Sequence, residues 1–124
     1  MRWIVDAMNV IGSRPDGWWK DRHAAMVRLT TQLERWAAVE DRHVTVVFEK
    51  PPSPPIGSEV VHITAAPRGG ANSADDEIVR LVRADGRPPE ITVVTSDITL
   101  AERVREAGAE IFPAKGFRDL IEGP

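Results

Sequence analysis

The 124-residue sequence predicts an α/β fold built on a buried, mostly parallel sheet. Three observations carry that prediction. Short runs, the opening one from Met1 to Asp6, His43–Phe48 and the one from Ile91 through Thr95 and Ser96, are rich in β-branched residues and lack the polar alternation of a half-exposed strand, as expected of strands covered on both faces. Each run leads within a few residues to an acid, Asp6, Glu49 or Asp97, and open α/β sheets gather ligands at the carboxyl ends of their strands. Between the runs lie segments with the 3.6-residue apolar period of helices packed on a sheet.

Composition narrows the classes of function. The length suits one domain spanning residues 1–124. A formal net charge of -3 excludes a strongly basic nucleic-acid coat protein, yet leaves room for a local basic groove around an acidic site. With no cysteine there is no disulfide framework, no thiolate nucleophile and no Cys-ligated metal. Any metal would need oxygen or imidazole ligands, which points to magnesium or manganese. The opening run meets Asp6 too early for a signal-peptide core, and no apolar run approaches the length of a membrane span. A soluble, cytoplasmic protein is expected.

The first strand delivers Asp6, followed by Asn9 and Gly12. Asp6 could serve a site at the strand end, or cap the next segment, while Asn9 could supply a left-handed turn. The following stretch, Ser13 to Arg22, is broken by Pro15 and Gly17 and carries Trp18 and Trp19 among Arg14, Lys20 and Arg22. These residues could form a stacking and phosphate-contacting rim for single-stranded nucleic acid, or the rings could staple the loop to the core. Asp21 is placed to cap a helix over Arg22–Ala38, with Met26, Leu29, Leu33 and Trp36 on its apolar face and Arg28, Gln32 and Arg35 opposite.

A second buried strand, His43–Phe48, ends at Glu49, which could add a carboxylate to the same edge or belong to a solvated turn with Lys50. Pro51, Pro52, Pro54 and Pro55 forbid helix and sheet alike and predict an extended surface connection. A third strand is expected over roughly Glu59–Ala65, where His62 lacks a second histidine at metal-binding spacing. The loop Pro67-Arg-Gly-Gly-Ala-Asn72 is suited to close approach to a ligand.

Ser73-Ala-Asp-Asp76 reads as a capping-box-like helix start, which explains Asp76 locally. Asp75 has no such explanation, because helical spacing sets it above Ile78, Val79 and Val82 on the sheet-facing side. The helix amino terminus accounts for part of its tolerance there, and a bound cation would account for the rest. The strand beginning at Ile91 then passes through Thr95 and Ser96 to Asp97, with Ser96 or Asp97 capping a helix that continues through Leu100, Ala101 and Val104. A strand over Ala109–Phe112 and a helical turn over Phe117–Ile121 complete the alternation.

Val5-Asp-Ala-Met-Asn-Val-Ile-Gly12, Ser73-Ala-Asp-Asp76 and Val94-Thr-Ser-Asp97 together resemble, in order, the three signature blocks of the NYN family of PIN-like ribonucleases, in particular its YacP-like branch. The resemblance spans most of the chain. It implies a three-layer α/β/α domain with about five mostly parallel strands and an acidic, divalent-cation-dependent ribonuclease site. By motif position it implies catalytic roles for Asp6, Asn9, Asp75, Asp76, Ser96 and Asp97. Glu49 stands where the family leads one to expect Asp, and Thr99 where many such domains carry another acid; either change could weaken a second metal position.

Electrostatics independently favours a cation among these acids. Two carboxylates about 4 Å apart repel by roughly 4 kcal/mol at an effective dielectric near 20, so three converging acids call for protonation or a cation. Asp6, Asp75 and Asp97 are the expected ligands of Mg2+ or Mn2+. Asn9 and Ser96 would orient water, ligands or phosphate, and Asp76 would assist through a metal-bound water. Arg14, Lys20, Arg22 and Arg68 would hold the RNA backbone, with Trp18 and Trp19 as stacking platforms. The leading expectation is a metal-dependent ribonuclease acting on RNA phosphodiesters. The alternatives are a non-catalytic RNA-binding or assembly module, and a phosphoacceptor domain suggested superficially by Asp6, Thr95 and Lys115 but lacking paired acids after the first strand.

Overall fold

The computed structural model describes residues 2–67 and 73–123. Its five strands are β1 (Arg2–Asp6), β2 (His43–Phe48), β3 (His62–Ala65), β4 (Ile91–Val94) and β5 (Glu110–Phe112). They form one sheet in the order β3-β2-β1-β4-β5, and every neighbouring pair is parallel. Helices α1 (Ala7–Ile11), α2 (Arg22–Val39), α3 (Ser73–Ala84), α4 (Ile98–Glu106) and α5 (Ala114–Glu122) are accompanied by short 3-10 turns at Trp18–Lys20 and Pro88–Glu90.

The absence of polar alternation in the strands reflects two cores, one on each sheet face. Successive β1 residues point to opposite sides. Val5 joins Val46, Phe48 and Val94 beneath α1, α2 and α5, where Leu29, Leu33 and Phe117 are buried. Ile4 joins Val47 and Val93 beneath α3 and α4, where Ile78, Val82, Leu100 and Val104 are buried. Three layers result. In the first core Trp3, Trp36 and Phe117 meet with centroids 5.1–5.8 Å apart, arrangements worth about 1 kcal/mol per pair beyond area burial.

Several element boundaries differ from expectation for local reasons. β3 starts at His62 instead of Glu59 because the Ser58 hydroxyl accepts from the Val60 and Val61 amides, holding that stretch in a turn. Residues 7–11 form a helical turn with Asp6 at its N-cap, so Asn9 is helical and not left-handed. At α3 Ser73 is the first described helical residue, and its hydroxyl donates to the Glu49 carbonyl at 2.8 Å. Asp21 caps α2 through the Ala24 amide at 3.0 Å. The last helix is longer than one turn, running from Ala114. Among the described residues no helix is long and apolar enough to cross a membrane.

The sheet order positions the site. From β1 the chain proceeds outward through β2 and β3, then crosses back to β4 on the other side of β1. The crevice at the carboxyl ends of β1 and β4 is the topological switch point, where open α/β sheets receive ligands.

Candidate active site

Four separate segments bring carboxylates to that crevice, Glu49 after β2 and three aspartates. Asp6 ends β1, Asp97 follows β4, and Asp75 enters from the first turn of α3. Together with Met8, Asn9, Glu49 and Ala74 they line an open cleft of about 240 Å³.

Asp6 is the deepest of the three, only 5% exposed. Its Oδ2 accepts a 3.0 Å bond from the Thr95 hydroxyl, whose oxygen in turn accepts from the Asp97 amide at 3.1 Å. Thr95 therefore acts on both acids, a positioning role that sequence reasoning missed; its place between a buried strand and Asp97 was the available signal. Asp97 caps α4, with Oδ1 accepting from the Leu100 amide at 2.9 Å, so capping and site geometry coexist.

Burial pushes the Asp6 carboxyl up to about 6, and the charges of Asp75 and Asp97 push the same way, against the Thr95 hydroxyl and a backbone bond at Asn9. Asp75 is also raised, first by burial, then by Asp97 and Asp76, with Arg103 opposing. The three acids thus share one electrostatic environment. Among the described residues no three His, Asp or Glu side chains are already drawn together as a ligand set for a metal ion. The oxygens of Asp6, Asp75 and Asp97 could reach a hydrated cation in the cleft, since magnesium commonly keeps several waters and takes only one or two carboxylates directly.

The other expected residues are placed differently. Asn9 lines the cleft, and its Oδ1 accepts from the Ser96 amide at 2.7 Å, fixing the β4–α4 turn. The Ser96 hydroxyl accepts from the Ala114 amide at 2.9 Å, which commits it to the start of α5. Asp76 faces outward with its side chain 72% exposed, 2.9 Å from Arg103. Glu49 lines the cleft at 3.9 Å from Arg22.

The two rings of the aromatic loop differ in burial. Trp18 packs against the core, with the Arg22 guanidinium 5.3 Å from its ring centroid, whereas Trp19 is 53% exposed. Lys20 is exposed, and Arg14 pairs with Asp119 and Glu122 on α5. Arg68 lies outside the described residues.

The YacP-like NYN domain model matches residues 3–123. A comparison with curated proteins gave no match. Among solved structures, Rae1 (YacP) from Bacillus subtilis is similar with a TM-score of 0.77 at 23% identity, covering 98% of this chain and 74% of that one. A mutant of the same protein gives a TM-score of 0.78 at 22% identity with the same coverage. At these identities the structural likeness speaks for the fold, and the match over residues 3–123 speaks for the family. This chain belongs to the YacP-like NYN domain family of PIN-like nucleases.

Proposed function

We propose that this protein is a divalent-cation-dependent ribonuclease that hydrolyses RNA phosphodiester bonds in the cleft between β1, α3 and β4. The observation that carries the reading is the convergence of Asp6, Asp75 and Asp97 at the switch point, with Asp6 buried and its carboxyl raised to about 6. Such an arrangement costs stability unless positive charge offsets it.

The donor set fits Mg2+ or Mn2+, because all three groups are hard oxygen ligands and the cleft has room for retained waters. Bound there, the cation would supply an activated water and stabilise charge developing on the phosphate. Asp6, Asp75 and Asp97 would hold it. Asn9 fixes the β4–α4 turn from inside the cleft, and Thr95 orients Asp6 and the Asp97 backbone. Hydrolysis requires no protein nucleophile: a water oxygen forms the new P–O bond, the bond to the leaving ribose oxygen breaks, and the proton the water gives up to solvent is balanced by one that the leaving ribose oxygen takes from solvent to become a hydroxyl. Lys20, Arg22, Arg68 and the exposed Trp19 are proposed to hold flanking RNA.

The test pairs metal binding with turnover. Mn2+ binding should be measured for the native protein and for Asp6→Asn and Asp97→Asn, with folding followed by circular dichroism, and single-stranded RNA should then be offered with Mg2+ or Mn2+. Binding and cleavage that disappear in folded variants support the enzyme. RNA binding without turnover, unchanged in Asp97→Asn, would overturn it in favour of a non-catalytic RNA-binding module.

A further inference from the structure

Beside the acidic cleft, α2 and the chain leaving β2 enclose a second cleft of about 260 Å³ with an apolar interior and a cationic rim. We propose that it seats the base of one nucleotide of single-stranded RNA against Met8, Met26 and Pro52, with Arg22 and Lys50 beside that nucleotide's phosphate. The choice of ligand rests on the nuclease reading above.

The two clefts adjoin, with Met8 and Glu49 lining both. A nucleotide seated in the second cleft would thus lie next to the acidic one, with its neighbouring phosphodiester directed there. The chemistry of the lining matches the two parts of a nucleotide. Methionine thioethers are polarizable and pack well on flat aromatic faces, while Arg22 and Lys50 supply charge for the phosphate. The acidic cleft alone repels an anion, so cations at its border favour productive approach.

The second cleft is also braced from both ends of its proline wall. Pro51 and Pro52 restrict the backbone themselves. The His23 ring nitrogen Nε2 lies 2.8 Å from the Pro54 carbonyl, which only accepts, so it ties that segment to α2 as a donor. At the other end, the Ser73 hydroxyl holds the Glu49 carbonyl. Arg22 is steadied between Trp18 and Glu49. A cleft held in shape before binding loses less affinity to ordering. A base can enter it only when unstacked from its neighbours, which selects single strands over duplex.

The chain has only three methionines, and two line this cleft, so methyl-13C methionine spectra of the full chain give a direct readout. Nucleoside 5'-monophosphates are titrated at millimolar concentration, with ribose 5-phosphate as the base-free probe. The Met8 and Met26 signals should move saturably with the nucleotides and not with ribose 5-phosphate. Met26→Ala should weaken nucleotide binding by up to about tenfold, the upper end for a sulfur–aromatic contact, and Met26→Leu should recover only the part due to apolar packing. Equal shifts with ribose 5-phosphate would reduce the cleft to a phosphate site and overturn the proposal. So would no shift with any nucleotide, including the case in which an apolar peptide moves the same signals. The titration needs no turnover, which separates the two readings. Nucleotide shifts in a protein that cleaves nothing would sustain the cleft and sink the nuclease, whereas RNA cleavage without methionine shifts would do the reverse.

Discussion

The Thr95 hydroxyl donates to Asp6 at 3.0 Å across the junction of β4 and β1, and the same oxygen accepts from the Asp97 amide at 3.1 Å. One buried hydroxyl thus fixes the deepest acid of the cleft and the backbone of another. Thr95→Val keeps the branched shape but removes both bonds. The variant should lose about 1–2 kcal/mol in urea unfolding, since the Asp97 amide loses its acceptor. Its Asp6 carboxyl should rise further, moving the acid limb of the cleavage profile to higher pH, while Thr95→Ser should restore both properties.

The raised Asp6 carboxyl sets the direction of the pH dependence. The folded protein retains a proton on Asp6 up to about pH 6, whereas the unfolded chain releases it near 3.8. Between those values the folded state binds more protons, so this group's contribution is most favourable below about pH 4 and declines as pH rises to about 6. Without metal, Asp6→Asn should match the native protein in stability near pH 4 and exceed it by up to roughly 3 kcal/mol at pH 7. Denaturant titrations across this range check it; a difference independent of pH would contradict the assigned cause.

On the proposed reading, proton and cation compete for the same oxygens. Mn2+ affinity should therefore strengthen from pH 5 to pH 7, by at most about tenfold per pH unit for a single competing proton. Calorimetry in buffers of differing ionisation enthalpy should detect proton release on binding near pH 5.5 and little at pH 8.

Adjacent acids on α3 should behave differently. Asp75 lines the cleft, while Asp76 faces Arg103 at the surface. Asp75→Asn should weaken Mn2+ binding by at least about tenfold, the loss of one charged ligand being worth more than 1 kcal/mol. Asp76→Asn should alter stability by no more than about 0.5 kcal/mol and affinity by no more than about twofold, as expected for an exposed pair. Equal losses in the two variants would show that Asp76 acts at the metal.

Arg118 is buried on α5, donating to the Ile11 carbonyl at 2.9 Å and pairing with Asp16. It ties the loop after α1 to the opposite end of the chain and holds the Asp16 carboxyl below its ordinary range. Arg118→Met should cost about 2 kcal/mol, because a buried carbonyl and a partly buried carboxylate lose their donor. Limited proteolysis should then cut first within residues 12–17.

The sequence by itself determined the strand–helix alternation and the acids at the strand ends. Those features follow from local rules: the two-residue strand period, the 3.6-residue helix period, and chain reversal just after a buried strand. Helical spacing also set Asp75 on the sheet-facing side of its helix, whereas Asp76 is explained as part of the helix start and carried as a catalytic residue by motif position. Only the tertiary structure decided which polar atoms remained at the site. Ser96 is engaged by the Ala114 amide, Arg14 by the acids of α5, and Thr95 by Asp6, in each case through a partner at least 18 residues away. Buried polar groups take whichever partners the packed chain brings within about 3 Å, and no local pattern encodes that choice. The methionine cleft arises in the same way, because Met8, Met26 and Pro52 become neighbours only when α1, α2 and the end of β2 pack around the sheet edge.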